Sequence, residues 1–193
     1  MWKPACLAAA LGLVVPSFLV TPAFAADTLK FEPDHTYAMF RYNHFGMSQP
    51  AGKIMGATGT LVLDTADPTR DAVDIALDMN TLTTGLPDFD TQLKGKDYFD
   101  VAQFPQATFK STKVEITGDT TANVTGDLTI HGKTQSVVLA VTFTKKAFNP
   151  AIFKTGYGFT ATAHIDRGDF GVSKYEPFIG GDIQLEIGAE AYP

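Results

Sequence analysis

The sequence predicts an all-β domain, a sheet closed on itself or two sheets stacked. Three observations carry that reading. Apolar and polar residues alternate with period two through most of the chain: Val73, Ile75, Leu77 and Met79 alternate with Asp74, Ala76 and Asp78, and Val137, Leu139, Val141 and Phe143 face one way with Thr142 and Thr144 the other. Successive strand side chains point to opposite faces, so each segment has one dry and one wet side. Second, the strands are linked by short turns at Gly118-Asp119, His131-Gly132 and Asn149-Pro150. Third, period-two spacing lapses for only one long stretch, between Asn80 and Pro105. Strands joined by hairpins favour an antiparallel up-and-down barrel over a parallel sheet.

The elements follow in order. Residues 1–25 read as an export leader. Lys3 supplies the positive start, Leu7 to Val20 the apolar run, and Ala23-Phe24-Ala25 a small-x-small cleavage site. The apolar run is short and contains Pro16, which argues against a retained anchor of ~20 apolar residues. The mature chain then runs over 26–193, one domain of 168 residues (193 minus 25). Losing Lys3 moves the net charge from −6 to −7, which disfavours nucleic acid and anionic lipid surfaces as partners. Cys6 and Trp2 leave with the leader, so the mature chain has no thiol for a disulfide or a metal.

Asp27–Glu32 and His35–His44 read as strands. Gly46–Gly59 is glycine-rich and leads into Thr60–Asp64, with a turn at Asp67-Pro68. Asp71–Met79 is the clearest strand. Phe89–Lys94 forms one to two helical turns with Asp88 as N-cap, giving a short helical insertion over about 88–99. Asp97–Val101 and Phe104 form an ordered aromatic loop. Ala107, Phe109 and Ser111 share a face, but Val114 and Ile116 fall on the opposite parity, so a bulge belongs near Thr112-Lys113. Asn123–Ile130, the Val137 segment, Tyr157–Ile165 and Asp182–Ala189 complete eight or nine strands, with a polar, internally paired turn at Asp166–Asp169.

Catalytic and metal patterns are missing. None of the four histidines, His35, His44, His131 and His164, sits at a metal-binding spacing. No serine lies in a G-x-S-x-G elbow. His131 in its hairpin reads as a surface or backbone-bonded residue. The aromatic residues admit two readings: an ordinary packed core, or an apolar tube, since eight strands enclose either side chains or one small ligand. Gly126, Ala161 and Ala163, small residues on dry faces, would leave room inside.

Four ordered motifs resemble the YceI-like family of secreted lipid-binding proteins, from about Leu29 to Ala189. They are Asp34-His35-Thr36 with Phe40, His44 and Ser48; Leu93 through Phe99-Asp100, Phe104-Pro105, Thr108-Phe109 and Ser111-Thr112; Gly126 to Gly132; and Arg167 with Asp169-Phe170-Gly171. Thr36 stands where a serine is usual, and Ile54 where phenylalanine is common. The resemblance implies an extended eight-stranded antiparallel barrel with a lipocalin-like tunnel. It implies a periplasmic carrier for a long-chain apolar lipid, a polyisoprenoid or isoprenoid quinone, with no other cofactor and often a homodimer. It names no catalytic residues.

Parity and motif position place the lipid's head near His44 or Arg167 and its tail along Phe40, Phe109, Leu128, Leu139 and Phe159. Tyr42, Phe45, Phe99 and Phe170 complete the expected contacts. The alternatives are a lipid- or quinone-modifying enzyme using a pocket histidine, and a filled barrel that binds partners. An outer-membrane barrel, with its apolar face outward, is a further rival.

Overall fold

A computed structural model describes residues 26–176 and 178–193; the expected leader lies outside them. Nine strands form one antiparallel sheet. They are β1 (Asp27–Phe31), β2 (Tyr37–His44), β3 (Ala51–Leu63), β4 (Ala72–Thr83), β5 (Gln106–Ile116), β6 (Thr121–Ile130), β7 (Lys133–Asn149), β8 (Lys154–Asp166) and β9 (Ile179–Tyr192). From β2 to β9 each strand pairs with its sequence neighbour, and β9 closes onto β2, so eight strands make a ring.

The ninth strand adds no position to that ring. β1 runs antiparallel to β3 at Thr60–Leu63 and to β9 at Ala191–Tyr192. β2 runs antiparallel to the same two strands further along, at Ala51–Ile54 and Ile179–Gly188. One barrel position is thus filled by two strands end to end. Thr36 holds the break between them: 1% exposed, it donates its hydroxyl to the Glu190 carbonyl (3.2 Å) and accepts the Glu190 N–H (3.1 Å). Its side chain supplies the ladder bonds that the interrupted backbone does not.

The expected bulge in β5 is present as a register shift between Ser111 and Lys113. Most of the glycine-rich stretch, which the sequence left without an element, is strand β3. Two register shifts opposite β4 bend it, and Gly56 (φ 72°) and Gly59 (φ 133°) take backbone conformations other residues resist. A Cβ at Gly59 would lie 2.1 Å from the Asp74 carbonyl oxygen. β4 runs on to Thr83, past the end of its period-two signal. Thr81 bonds both the N–H and the carbonyl of Met55 across a shift, and Leu82 is fully buried.

Helix α1 (Pro87–Lys94) confirms the insertion but not its cap. Leu86 is the N-cap, Pro87 opens the helix, and Asp88 sits one residue further in. The side chain that ties α1 to β4 is Asp90, which accepts from the Thr84 N–H and from the Thr83 and Thr84 hydroxyls. Turns follow Lys94 where the insertion was expected to continue to 99.

The interior is filled unevenly. At the end away from α1, Leu29, Phe31, Leu61, Tyr157 and Ala191 form a packed cluster. Under α1, Met79, Leu82, Leu93, Tyr98, Ala107 and Val172 form another, and Val137, Ala163 and Phe170 a third. No helix among the described residues is long and apolar enough to cross a membrane.

Candidate functional site: a capped apolar cavity

A cavity of about 260 Å³ lies at the α1 end of the barrel. Its walls follow from strand alternation. In β2, Ala38, Phe40, Tyr42 and His44 point inward, opposite Ile187, Leu185, Ile183 and Ile179 of β9. Ile54 of β3 pairs with Ala38 and joins the wall. Gly52 makes room for Phe40: a Cβ there would lie 2.2 Å from the Phe40 ring carbon Cζ. The roof comes from α1 and its trailing turns, through Phe89, Gln92, Leu93, Tyr98 and Phe99. The β8–β9 connection supplies Arg167, Phe170, Val172, Lys174 and Tyr175.

Six of the eleven expected contacts line this cavity: Phe40, Tyr42, His44, Phe99, Arg167 and Phe170. The others lie elsewhere. Phe45 (φ 57°) turns outward, 52% exposed, with its ring edge-on to His44 at 4.6 Å. Phe109 is buried with its ring over Gly126, where a Cβ would meet it at 2.4 Å. Gly126 therefore admits an aromatic ring and leaves no open space. Leu128 and Leu139 pack on the Val137–Ala163–Phe170 cluster. Phe159 packs against Phe143 (5.5 Å) in the cluster at the opposite end.

Arg167 is held by backbone. Its Nε donates to the Gly180 carbonyl (3.1 Å), Nη1 to Val172 (2.5 Å) and Lys174 (3.1 Å), and Nη2 to Ile179 (2.8 Å). Its carboxylate neighbour is Glu176 at 3.6 Å, not an aspartate of its own turn as expected. A guanidinium fork suits this work because its donors are fixed in a plane. Arg167 thereby folds the whole β8–β9 connection over the cavity. His131 and Gly132 form a two-residue hairpin with φ 51° and 70°, and the His131 ring bonds the Phe170 carbonyl (3.3 Å), the backbone-bonded reading.

Two tyrosine hydroxyls and a paired lysine are among the other polar groups of the lining. Burial and the neighbouring Tyr98 push the Tyr42 hydroxyl's pKa up. Burial and Tyr175 do the same to Tyr98, so both stay protonated donors at neutral pH. Lys174 pairs with Asp97, and its Nζ lies 5.5 Å from the centres of both the Tyr98 and Tyr175 rings. Sequence reasoning missed Ile54, Gln92, Leu93 and Lys174 as lining residues. Ile54 was recoverable from the pairing of β2 with β3, had the glycine tract been read as a strand. Gln92 and Leu93 lie on a helix of only two turns, too short for its period to report a face, and Lys174 lies in an irregular connection.

Fold and site together define a closed antiparallel β-barrel with an apolar cavity capped by a short helix. The chain belongs to the YceI-like family, whose domain model matches residues 29–191. A UPF0312 protein of Pseudomonas savastanoi pv. phaseolicola is 36% identical over 193 residues, covering 98% of this chain and 97% of that one. The crystal structure of the Campylobacter jejuni YCEI protein aligns with TM-score 0.69 at 26% identity, over 78% of this chain and 88% of that one. A polyisoprenoid binding domain from Saccharophagus degradans aligns with TM-score 0.64 at 11% identity, over 85% and 97% of the two chains, a likeness of fold.

Proposed function

We propose that this protein is a periplasmic carrier or reservoir for a long-chain apolar lipid, a polyisoprenoid or an isoprenoid quinone. The observation that carries the reading is the cavity, roofed by α1 and walled by inward Phe40, Ile54, Ile183 and Leu185. Concave, mostly apolar sites with a few placed polar groups are the usual form of small-molecule sites. The Saccharophagus neighbour, described as polyisoprenoid-binding, is consistent with it. Export rests on the leader pattern in residues 1–25. His44 forms no ion pair among the described residues, and its near neighbours are the rings of Tyr42 and Phe45. It therefore lacks the orienting carboxylate that a general base commonly uses.

Mass spectrometry of the organic extract of protein purified from the periplasm tests the proposal. A co-purifying prenyl lipid in near-stoichiometric amount is expected. Protein that carries no lipid, and takes none from solubilised quinone or prenol, would overturn it.

A further inference from the structure

Two permanent cations, Arg167 and Lys174, line the cavity, and no carboxylate among the described residues does. Taken alone, that composition would suit an anionic head group. Their hydrogen bonds say otherwise. Arg167 is committed to four backbone carbonyls, with Glu176 beside it. Lys174 donates to Asp97, which lies outside the lining with its side chain 71% exposed. The lining side chains with spare hydrogen-bonding capacity are the Tyr42, Tyr98 and Tyr175 hydroxyls, the Gln92 amide and the His44 imidazole. None has a partner among the described residues. No sealed side-chain polar atom is unpartnered, so these groups face cavity or solvent space. The three hydroxyls and the amide are uncharged donors and acceptors.

We propose that Asp97 sets the head-group selectivity of this cavity. By holding Lys174 it neutralises the flexible ammonium of the lining. The cavity then takes chains that end in an uncharged hydrogen-bonding group (an alcohol, a quinone carbonyl or an amide) and disfavours a phosphate or carboxylate end. This rests on the reading that the cavity holds a long apolar chain. Asp97 is a positioning residue: it acts through Lys174, whose flexible stem would otherwise let the ammonium swing toward a bound anion. Arg167 cannot take that part, because turning its fork inward would strand two carbonyls of the β8–β9 connection and two at the start of β9.

The test compares geranylgeraniol with geranylgeranyl phosphate, which share one tail and differ in charge. Binding to the delipidated protein is followed by native mass spectrometry and by competition. The assay runs at about pH 8, above the ordinary imidazole range. The wild type is expected to bind the alcohol about tenfold more tightly, since an anion without a free cation is costly to bury. Asp97→Asn should raise phosphate affinity about threefold, the scale of one exposed ion pair, and leave alcohol affinity unchanged. Lys174→Gln should weaken phosphate binding instead, and it probes the same pair should Asp97→Asn fold poorly. Asp88→Asn, on α1 but outside the lining, should keep the wild-type ratio. The proposal is overturned if wild type prefers the phosphate, or if the ratio is the same in wild type, Asp97→Asn and Lys174→Gln. Failure of wild type to bind either compound would instead overturn the carrier reading on which it rests.

Discussion

Replacing Arg167 by Met separates a structural arginine from a ligand-binding one. The side chain is 11% exposed and joins four carbonyls, on Val172, Lys174, Ile179 and Gly180. Hydrogen bonds from a charged donor contribute ~1.5–3 kcal/mol each when buried, and some of these carbonyls would regain water. A net loss of about 3–5 kcal/mol is therefore expected, a large part of the ~5–15 kcal/mol typical of a domain. Met keeps the apolar stem, so lost packing contributes little. Urea unfolding with linear extrapolation measures the loss. Arg167→Lys should recover less than half of it, because one ammonium cannot reproduce a planar fork aimed at four acceptors. A loss below about 1 kcal/mol for Arg167→Met would refute the structural role. So would unchanged stability combined with a selective loss of lipid binding, which would make Arg167 a head-group contact after all.

Ala38→Phe puts a ring into the cavity beside Ile54 and Ile187. Binding of long prenyl chains should fall while the barrel survives with a cost of ~1–3 kcal/mol, read from paired binding curves and melts. Thr36→Val removes the two bonds to Glu190 that bridge β1 and β2. About 1–3 kcal/mol should be lost, and amide exchange should quicken first around Glu190. The Thr84 and Thr83 hydrogen bonds hold the Asp90 carboxyl below its ordinary value. Its contribution is therefore present above the ordinary carboxylate range and lost as pH falls through the depressed value. The urea midpoint of wild type should drop on acidification more steeply than that of Asp90→Asn, and identical slopes would contradict the assignment.

The barrel was legible because its walls obey one rule. Wherever a strand is regular, as in Val137–Phe143 or Ile183–Ile187, alternation fixed which residues face inward, and a parity break located the β5 bulge. Legibility failed where backbone irregularity carries the structure. Gly52, Gly56 and Gly59 hid a strand, because bulges and a close ring contact call for the residue that strands usually avoid. The site was half legible. Phe40, Tyr42 and His44 lie on a regular strand and were found. Phe109, Leu128, Leu139 and Phe159 do face inward, but parity reports the side of a sheet, not the depth at which the interior is already packed. Arg167 was found for a different role, since a sequence motif shows that an arginine is required and not what its donors touch.

The most direct measurement is affinity against chain length in a series of prenyl alcohols, geraniol, farnesol, geranylgeraniol and longer. Burying apolar carbon contributes ~0.8 kcal/mol per CH₂ before ordering costs, so each isoprene unit should add to affinity until the cavity is full. A rise followed by a plateau, with the plateau reached earlier in Ala38→Phe, is the predicted result. Equally weak binding at every length would mean that the barrel does not hold a chain.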